Sequence, residues 1–132
     1  MAAESLFIDS GGFYALVSPQ SEYHDRAVEI MQEAGRHRWP AITTDYIIDE
    51  TATLLRARGL TRLLAEFFRL TEESQALTTE WVTPDRFSAA RKFMLKHLDQ
   101  EFSFTDCVSF IVMKELSDAG RADADFEAGT RR

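Results

Sequence analysis

Apolar and polar positions along the chain follow two spacings, one typical of strands and one typical of helices. Short apolar stretches at residues 6–8 and 39–43 and an alternating pattern at residues 77–82 predict three strands. Elsewhere apolar residues recur every three or four positions, which predicts six helices. The predicted helices cover residues 13–17, 23–35, 45–58, 61–75, 84–98 and 105–116. Strands that alternate with helices in this way are typical of an α/β fold with a mostly parallel sheet.

Glycine and proline mark where several predicted helices begin and end. Gly35 and Gly59 are expected to end the second and third helices, because glycine commonly follows the last helical turn. Pro84 is expected to open the fifth helix, since its fixed φ is preorganised for the first helical position. From Gly120 onward the sequence is a poor strand by propensity, so no clear element is predicted there.

Length and composition bound the class of the protein. At 132 residues the chain is predicted to be a single domain over residues 1–132, with an atypical segment from about residue 120. An apolar fraction of 45% with ten Phe indicates a packed core and excludes intrinsic disorder. The single cysteine excludes an internal disulfide bond. No signal peptide is recognisable, and no apolar stretch approaches the roughly 20 residues that span a bilayer, so a cytoplasmic location is expected.

The formal net charge of −7 argues against a broad nucleic-acid-binding surface. Phosphate binding normally leaves a basic footprint on a protein. Clustered carboxylates can be neutralised by bound cations, however, so the acidity is compatible with a compact metal site. The positions of the individual acids therefore decide what chemistry the chain supports.

Asp9 is the first candidate, because it stands where the first predicted strand stops. In an open parallel sheet, ligands bind outside the carboxyl ends of the strands. Asp9 would lie at such an edge and could hold a cation there. The alternative is that Asp9, or Ser10 beside it, only caps the helix that follows, as Asp and Ser commonly do.

Glu50 is the second candidate, because it lies at the margin of the apolar face of the third predicted helix. Residues of a helix advance by about 100° each. The apolar face comprises Ile47, Ile48, Thr51, Leu54 and Leu55. Asp49 points away from this face toward solvent, whereas Glu50 can reach a half-buried site. The alternative is an ordinary surface glutamate.

Asp106 is the third candidate and falls in the first turn of the sixth predicted helix. That helix is apolar almost all round, which places it inside the molecule. Ser103 and Asp106 fit a capping box, so the alternative is a structural role, which would not prevent the carboxylate from also facing a cation. Near the end of the chain, Asp123 and Asp125 are each, taken alone, expected to be solvated acids.

Other catalytic chemistries find less support in the sequence. Three histidines, His24, His37 and His97, lack zinc-ligand spacing with one another or with Cys107. Cys107 lies in the apolar sixth helix and is expected in the core. The serines form no nucleophile elbow, and there is no glycine-rich phosphate loop.

The ordered acids resemble those of the PIN-domain ribonucleases, above all the VapC-like toxins of bacterial and archaeal toxin–antitoxin pairs. The matching stretches are residues 7–10 (FIDS), 43–51 (TTDYIIDET) and 102–107 (FSFTDC), which follow the family order along nearly the whole chain. Family members usually continue with an apolar strand, an Asp, two residues and an aromatic. Here Asp123 and Phe126 keep that spacing, but the residues before them lack the apolar strand character.

This resemblance implies a PIN-like three-layer α/β/α sandwich around a short, mostly parallel sheet. It also implies an endoribonuclease that depends on Mg²⁺ or Mn²⁺. The expected metal ligands are Asp9, Glu50 and Asp106, with Asp123 as a further catalytic acid. The supporting hydroxyl groups, which would orient a carboxylate or a water, are those of Ser10, Ser103 and Thr105. Asp123 is preferred to Asp125 on the expectation that Phe126 begins a helical turn, because residues three apart then share a face.

Several partners are expected. The resemblance implies an RNA substrate and a groove for the C-terminal segment of a cognate antitoxin, which would offer an Arg or Lys to the acids. The apolar residues Phe67, Phe68 and Leu70 in one helix suggest a surface for a homodimer.

Two other interpretations stay open at this point. One is a catalytically inactive PIN-like module that binds protein or RNA. The other is an unrelated metal-dependent α/β phosphatase or phosphoacceptor domain. A phosphoacceptor would need a lysine near its site, and Lys114 is the only late candidate.

Overall fold

Four strands and six α-helices make up the computed structural model, which describes residues 3–119 and 121–126, with side chains for residues 5–119. The strands are β1 (Ala3–Ile8), β2 (Ala41–Thr44), β3 (Leu77–Glu80) and β4 (Arg121–Phe126). The helices are α1 (Ser10–Val17), α2 (His24–His37), α3 (Asp45–Ala57), α4 (Leu64–Glu73), α5 (Pro84–Lys96) and α6 (Phe104–Asp118). A 3₁₀ turn (Thr61–Leu63) precedes α4.

All four strands are parallel, in the order β3-β2-β1-β4. Because crossovers between parallel strands are right-handed as a rule, this strand order places α1 to α4 over one face of the sheet and α5 and α6 over the other. The result is the predicted three-layer α/β/α sandwich. Because the strand order reverses beside β1, the crevice in which such sheets bind ligands opens at the carboxyl end of β1.

The core lies on both faces of this sheet. Phe7, Ile8 and Ile42 are almost fully buried within the strands. On one side, Phe13 of α1 packs edge-to-face against Phe67 of α4, with ring centroids 5.4 Å apart. On the other side, α6 buries its apolar residues Cys107, Val108 and Val112.

Most of the predicted elements are present, with boundaries shifted by a few residues. The end of α3 is as predicted, since Gly59 has a φ of +70°, a conformation that glycine adopts without a steric penalty. Pro84 is the first residue of α5, also as predicted. The prediction that Gly35 ends α2 is wrong, because the helix continues to His37 and Arg38 takes the left-handed conformation instead, with a φ of 57°.

The end of the chain departs furthest from the sequence-based expectation. Residues 121–126, a poor strand by propensity, form β4 and pair with β1 along its whole length. Strand propensity depends strongly on context. The edge of β1 supplies hydrogen-bonding partners for this segment, and the composition of the segment gives no sign of them. No helix within the described ranges is long and apolar enough to cross a membrane.

Candidate active site

Asp9 follows β1 directly and is 2% exposed. Its Oδ1 accepts a hydrogen bond from the backbone N–H of Gly12 at 2.9 Å, so it caps α1. The capping alternative is therefore correct as a description of its contacts. Its place at the carboxyl end of β1, where the strand order reverses, also puts this buried carboxylate in the ligand-binding crevice of the sheet.

Glu50 lies on α3 and contacts the turn that carries Asp9. The Ser10 hydroxyl donates a hydrogen bond of 2.6 Å to Glu50 Oε1, joining residues 40 positions apart. Glu50 is half-buried, whereas Asp49 is exposed, as the helical spacing predicts. The start of α3 is held in turn by Thr44, whose Oγ1 accepts from the Ile47 N–H at 3.1 Å.

Asp106 lies in the first turn of α6 and is 9% exposed. The predicted capping box is present: Ser103 N–H donates to Asp106 Oδ2, and Asp106 N–H donates to Ser103 Oγ, each at 3.0 Å. The Ser103 hydroxyl thus orients the backbone around Asp106. Thr105 uses its backbone carbonyl to accept a bond from the Ser109 hydroxyl at 3.0 Å.

The residue beside Asp106 is Cys107, which is fully buried in α6. Burial, together with the neighbouring Asp106 carboxylate, raises the pKa of this thiol. A raised pKa disfavours the reactive thiolate, and its burial places Cys107 in the core, as predicted.

The three acids share a donor chemistry that fits a hard divalent cation, since Mg²⁺ and Mn²⁺ prefer carboxylate oxygens. Within the described side chains, however, no group of three or more His, Cys, Asp and Glu residues is arranged to hold a metal ion. Ser10 brings Glu50 to the Asp9 turn, and Asp106 begins a helix on the other face of the sheet. Coordination of one cation by all three acids stays a prediction.

The fourth acid falls on β4, whose side chains lie outside the described residues. The expected helical turn at Phe126 is not formed, because this segment is a strand, so the argument from helical spacing for Asp123 no longer applies. In the register of β4, Asp123 is opposite Ser5 and Asp125 is opposite Phe7. At about 3.3 Å per residue, these backbone positions lie about 13 Å and about 7 Å before the level of Asp9. By backbone position, Asp125 is the nearer of the two, and the role of Asp123 stays a prediction.

Lys114 is not placed to serve a phosphoacceptor site. Its side chain is 73% exposed and pairs with Asp118 in the last turns of α6, whereas Asp106 lies in the first turn of that helix. The phosphoacceptor interpretation therefore loses the lysine that the sequence offered for it.

Sequence reasoning missed a group of aromatic side chains beside these acids. Phe104, two residues before Asp106, lies between Phe87 of α5 and Tyr46 of α3, with ring centroids 4.9 Å and 6.1 Å away. The signal in the sequence was an aromatic residue within the first turn of each of three helices, but nothing showed that these turns meet.

Comparisons with known proteins agree on one family. No protein-family model matches the chain. It is 30% identical to the 23S rRNA-specific endonuclease VapC20 of Mycobacterium tuberculosis, over 93% of this chain and 92% of that protein. It is also 30% identical to a VapC ribonuclease of Archaeoglobus fulgidus, over 83% of this chain and 70% of that one.

A solved structure has the same fold. The crystal structure of the M. tuberculosis VapC20 toxin, described as cleaving the sarcin-ricin loop, superposes with a TM-score of 0.75 and 25% identity. The superposition covers 95% of this chain and 92% of that one. The sequence match and the shared fold each extend over most of the chain, and the chain belongs to the VapC-like PIN-domain ribonucleases, the endoribonuclease toxins of toxin–antitoxin pairs.

Proposed function

We propose that this endoribonuclease requires Mg²⁺ or Mn²⁺, held by Asp9, Glu50 and Asp106. The observation that carries the proposal is the Ser10–Glu50 hydrogen bond, which brings an acid of α3 to the turn where β1 ends in a buried acid. When bound, such a cation polarises the phosphodiester and lowers the pKa of a coordinated water. No histidine or serine nucleophile is then needed.

The chain's own groups hold these acids in defined orientations. The Gly12 N–H fixes one oxygen of Asp9, the Ser10 hydroxyl fixes one oxygen of Glu50, and the Ser103 N–H fixes one oxygen of Asp106. Each acid thus keeps a preferred side-chain conformation before substrate arrives, and preorganised carboxylates do not have to reorganise on binding. We propose Asp123 or Asp125 of β4 as the fourth acid.

The substrate that we propose is a structured loop of ribosomal RNA. This proposal draws on the two M. tuberculosis matches, of which one is described as a 23S rRNA-specific endonuclease and the other as a toxin that cleaves the sarcin-ricin loop. Incubation of the chain with ribosomes, with a synthetic stem-loop and with a fully paired RNA distinguishes a loop-specific enzyme from a general one. Equal cleavage of all three would contradict the proposed specificity.

Metal dependence is tested with the Glu50→Gln variant and a matched control on the same helix. We expect Glu50→Gln to slow cleavage by about 100-fold or more, because a neutral amide is a poor ligand for a hard cation. Asp49→Asn, which changes the exposed neighbour, should cleave at the normal rate. Chelation by EDTA should stop cleavage, and added Mn²⁺ should restore it. Cleavage that survives chelation would contradict the proposal.

We propose further that an apolar cavity beside β1 receives a side chain of the cognate antitoxin. The cavity has a volume of about 410 Å³ and opens among α1, α2 and α4. Its apolar lining includes Phe13, Leu16, Val17, Met31, Leu70 and Leu77. Replacing Val17 or Leu70 with Arg should abolish capture of the antitoxin while leaving RNA cleavage intact. Retained capture would show that the antitoxin binds elsewhere.

We also propose a homodimer, but fewer apolar residues of α4 are available for its interface than the sequence suggested. The idea that Phe67 contributes to an external surface is wrong, because it is fully buried against Phe13. Phe68, which is 40% exposed, and the half-buried Leu70 remain to support an interface. A monodisperse monomer at high micromolar concentration would contradict the dimer.

A further inference from the structure

Two aromatic side chains project into solvent at the end of the sheet where the acids lie. Trp81, the residue after β3, is 67% exposed, and Phe87, in the first turn of α5, is 41% exposed. Large aromatic side chains normally bury most of their surface, so exposure at a site of chemistry is informative. Phe87 packs against the Phe104 ring, which lies in the same helical turn as Asp106. Phe87 is therefore connected through Phe104 to the helical turn that carries Asp106, and Trp81 lies at the same end of the sheet.

The backbone beneath Trp81 is held from two sides. The N–H of Val82 donates a hydrogen bond of 2.9 Å to Asp45 Oδ1 at the start of α3. Arg86 Nη1 donates to the carbonyl of Trp81 at 3.0 Å. These contacts fix the loop without covering the indole ring, so Trp81 is presented outward on a defined backbone.

The charges around this surface decide what it can bind. The only guanidinium described beside Trp81 is that of Arg86, and it is already paired with Glu80 and Glu115, each at 2.9 Å. These pairs raise the pKa of Arg86, although burial lowers it. With its cation engaged and Asp45 nearby, this part of the described structure is poorly suited to bind phosphate. It is suited to flat, uncharged groups.

We propose that Trp81 and Phe87 form a stacking platform for unpaired bases of the RNA next to the bond that is cut. The inference rests on the proposed function, in which Asp9, Glu50 and Asp106 act on RNA. Aromatic side chains stack on nucleobases of any sequence. In a duplex both faces of each base are covered by neighbouring bases, so the platform selects loops and single strands. Stacking on the platform neutralises no phosphate, so the contribution of Trp81 and Phe87 to RNA affinity should depend only weakly on salt.

Tryptophan fluorescence tests this directly, because the chain has two Trp residues. In the Trp39→Phe variant, all indole emission comes from Trp81. In the Trp81→Phe variant, all indole emission comes from Trp39, which stacks on His37. Trp39 precedes β2 whereas Trp81 follows β3, so the two indoles lie at opposite ends of the parallel strands. An unstructured RNA of about eight nucleotides, a typical single-strand site size, is added in EDTA to prevent cleavage. We expect quenching in Trp39→Phe, no quenching in Trp81→Phe, and none in either variant with a duplex of equal length.

Several outcomes would overturn the platform. Equal quenching of the two variants, quenching by duplex RNA, or no quenching at all would do so. A change in Trp81 emission with protein concentration alone, without RNA, would assign this face to a second copy of the chain and likewise overturn it.

Kinetics separate this proposal from the proposed function. Trp81→Ala and Phe87→Ala should each raise KM about five- to tenfold with kcat unchanged, as expected for the loss of one stacking ring. Leu98→Ala, which removes a side chain that is 70% exposed outside this aromatic group, should change neither value. An unchanged KM in Trp81→Ala, in an enzyme that Asp9→Asn inactivates, refutes the platform alone. Quenching by RNA without any metal-dependent cleavage refutes the proposed function alone.

Discussion

Asp9 and Asp106 each accept a backbone N–H at the start of a helix, but from different positions. Asp9 precedes α1 and caps it with its own Oδ1. Asp106 is the third residue of α6, where Ser103 provides the cap and the two residues exchange hydrogen bonds. At α1 the acid is the cap, whereas at α6 the acid is held by one. At α1 one residue, Asp9, supplies both the negative charge and the cap, so a substitution that keeps the cap but removes the charge tests the charge alone. At α6 the charge belongs to Asp106 and the cap to Ser103, so each can be removed by its own substitution.

The largest expected effect comes from Asp9→Asn. Asn caps a helix about as well as Asp, so we expect the melting temperature to change little. Cleavage should fall by more than about 100-fold, because a neutral amide would be a poor ligand for the proposed cation. Cleavage rates and thermal unfolding, measured on the same sample, check both expectations.

Asp9→Ala provides the matched control, because it removes both the charge and the cap. It should be equally inactive and less stable than Asp9→Asn by about 1 kcal/mol. If Asp9→Asn were as destabilised as Asp9→Ala, its inactivity could be explained by loss of structure, and the comparison would fail.

An intermediate effect is expected for Ser103→Ala. Loss of the Ser103 hydroxyl removes the cap of α6 and should lower the free energy of unfolding by about 1 kcal/mol. The carboxylate of Asp106 remains, so cleavage should slow only a few-fold. Ser117→Ala, at an exposed serine near the end of the same helix, should leave both quantities unchanged. Complete inactivation by Ser103→Ala would mean that the serine takes part in the chemistry itself.

The smallest expected effect is a pH dependence caused by Cys107. Because its pKa is raised in the folded state, the folded protein binds more protons than the unfolded chain in the alkaline range, and stability must fall as pH rises. We expect the loss to begin near the ordinary thiol pKa, at about pH 8.5, and to continue up to the raised value. Cys107→Ala should lose less stability over the same range. Identical pH profiles of unfolding would contradict the effect.

Local patterns predicted most of the fold, and they did so for a physical reason. Apolar spacing reports which face of an element is buried, and that requirement produced β1, β2, β3 and the helices in order. β4 was not predicted, because its stability comes from pairing with β1 rather than from the strand propensity of its own residues. The end of α2 was predicted wrongly because Arg38 adopts the left-handed conformation, which the prediction expected of a glycine.

The candidate site was predictable residue by residue but not as an arrangement. The position of Asp9 after a strand, the helical margin at Glu50 and the capping box at Asp106 all follow from spacing within one element. The Ser10–Glu50 bond and the tie between Asp45 and Val82 join separate elements, across 40 and 37 positions. No local pattern contains such distances, and the aromatic group beside the acids was missed for the same reason.

The pairing of β1 with β4 has a consequence for how the protein is made. The ribosome synthesises β1 more than a hundred residues before β4, so the edge of β1 that pairs with β4 stays unpaired during most of translation. Contacts this distant in sequence form slowly, since a long loop must close first. Asp106 emerges late as well, only after five of the six helices. A nascent chain therefore cannot bring the proposed metal ligands Asp9 and Asp106 together until most of the chain has been synthesised.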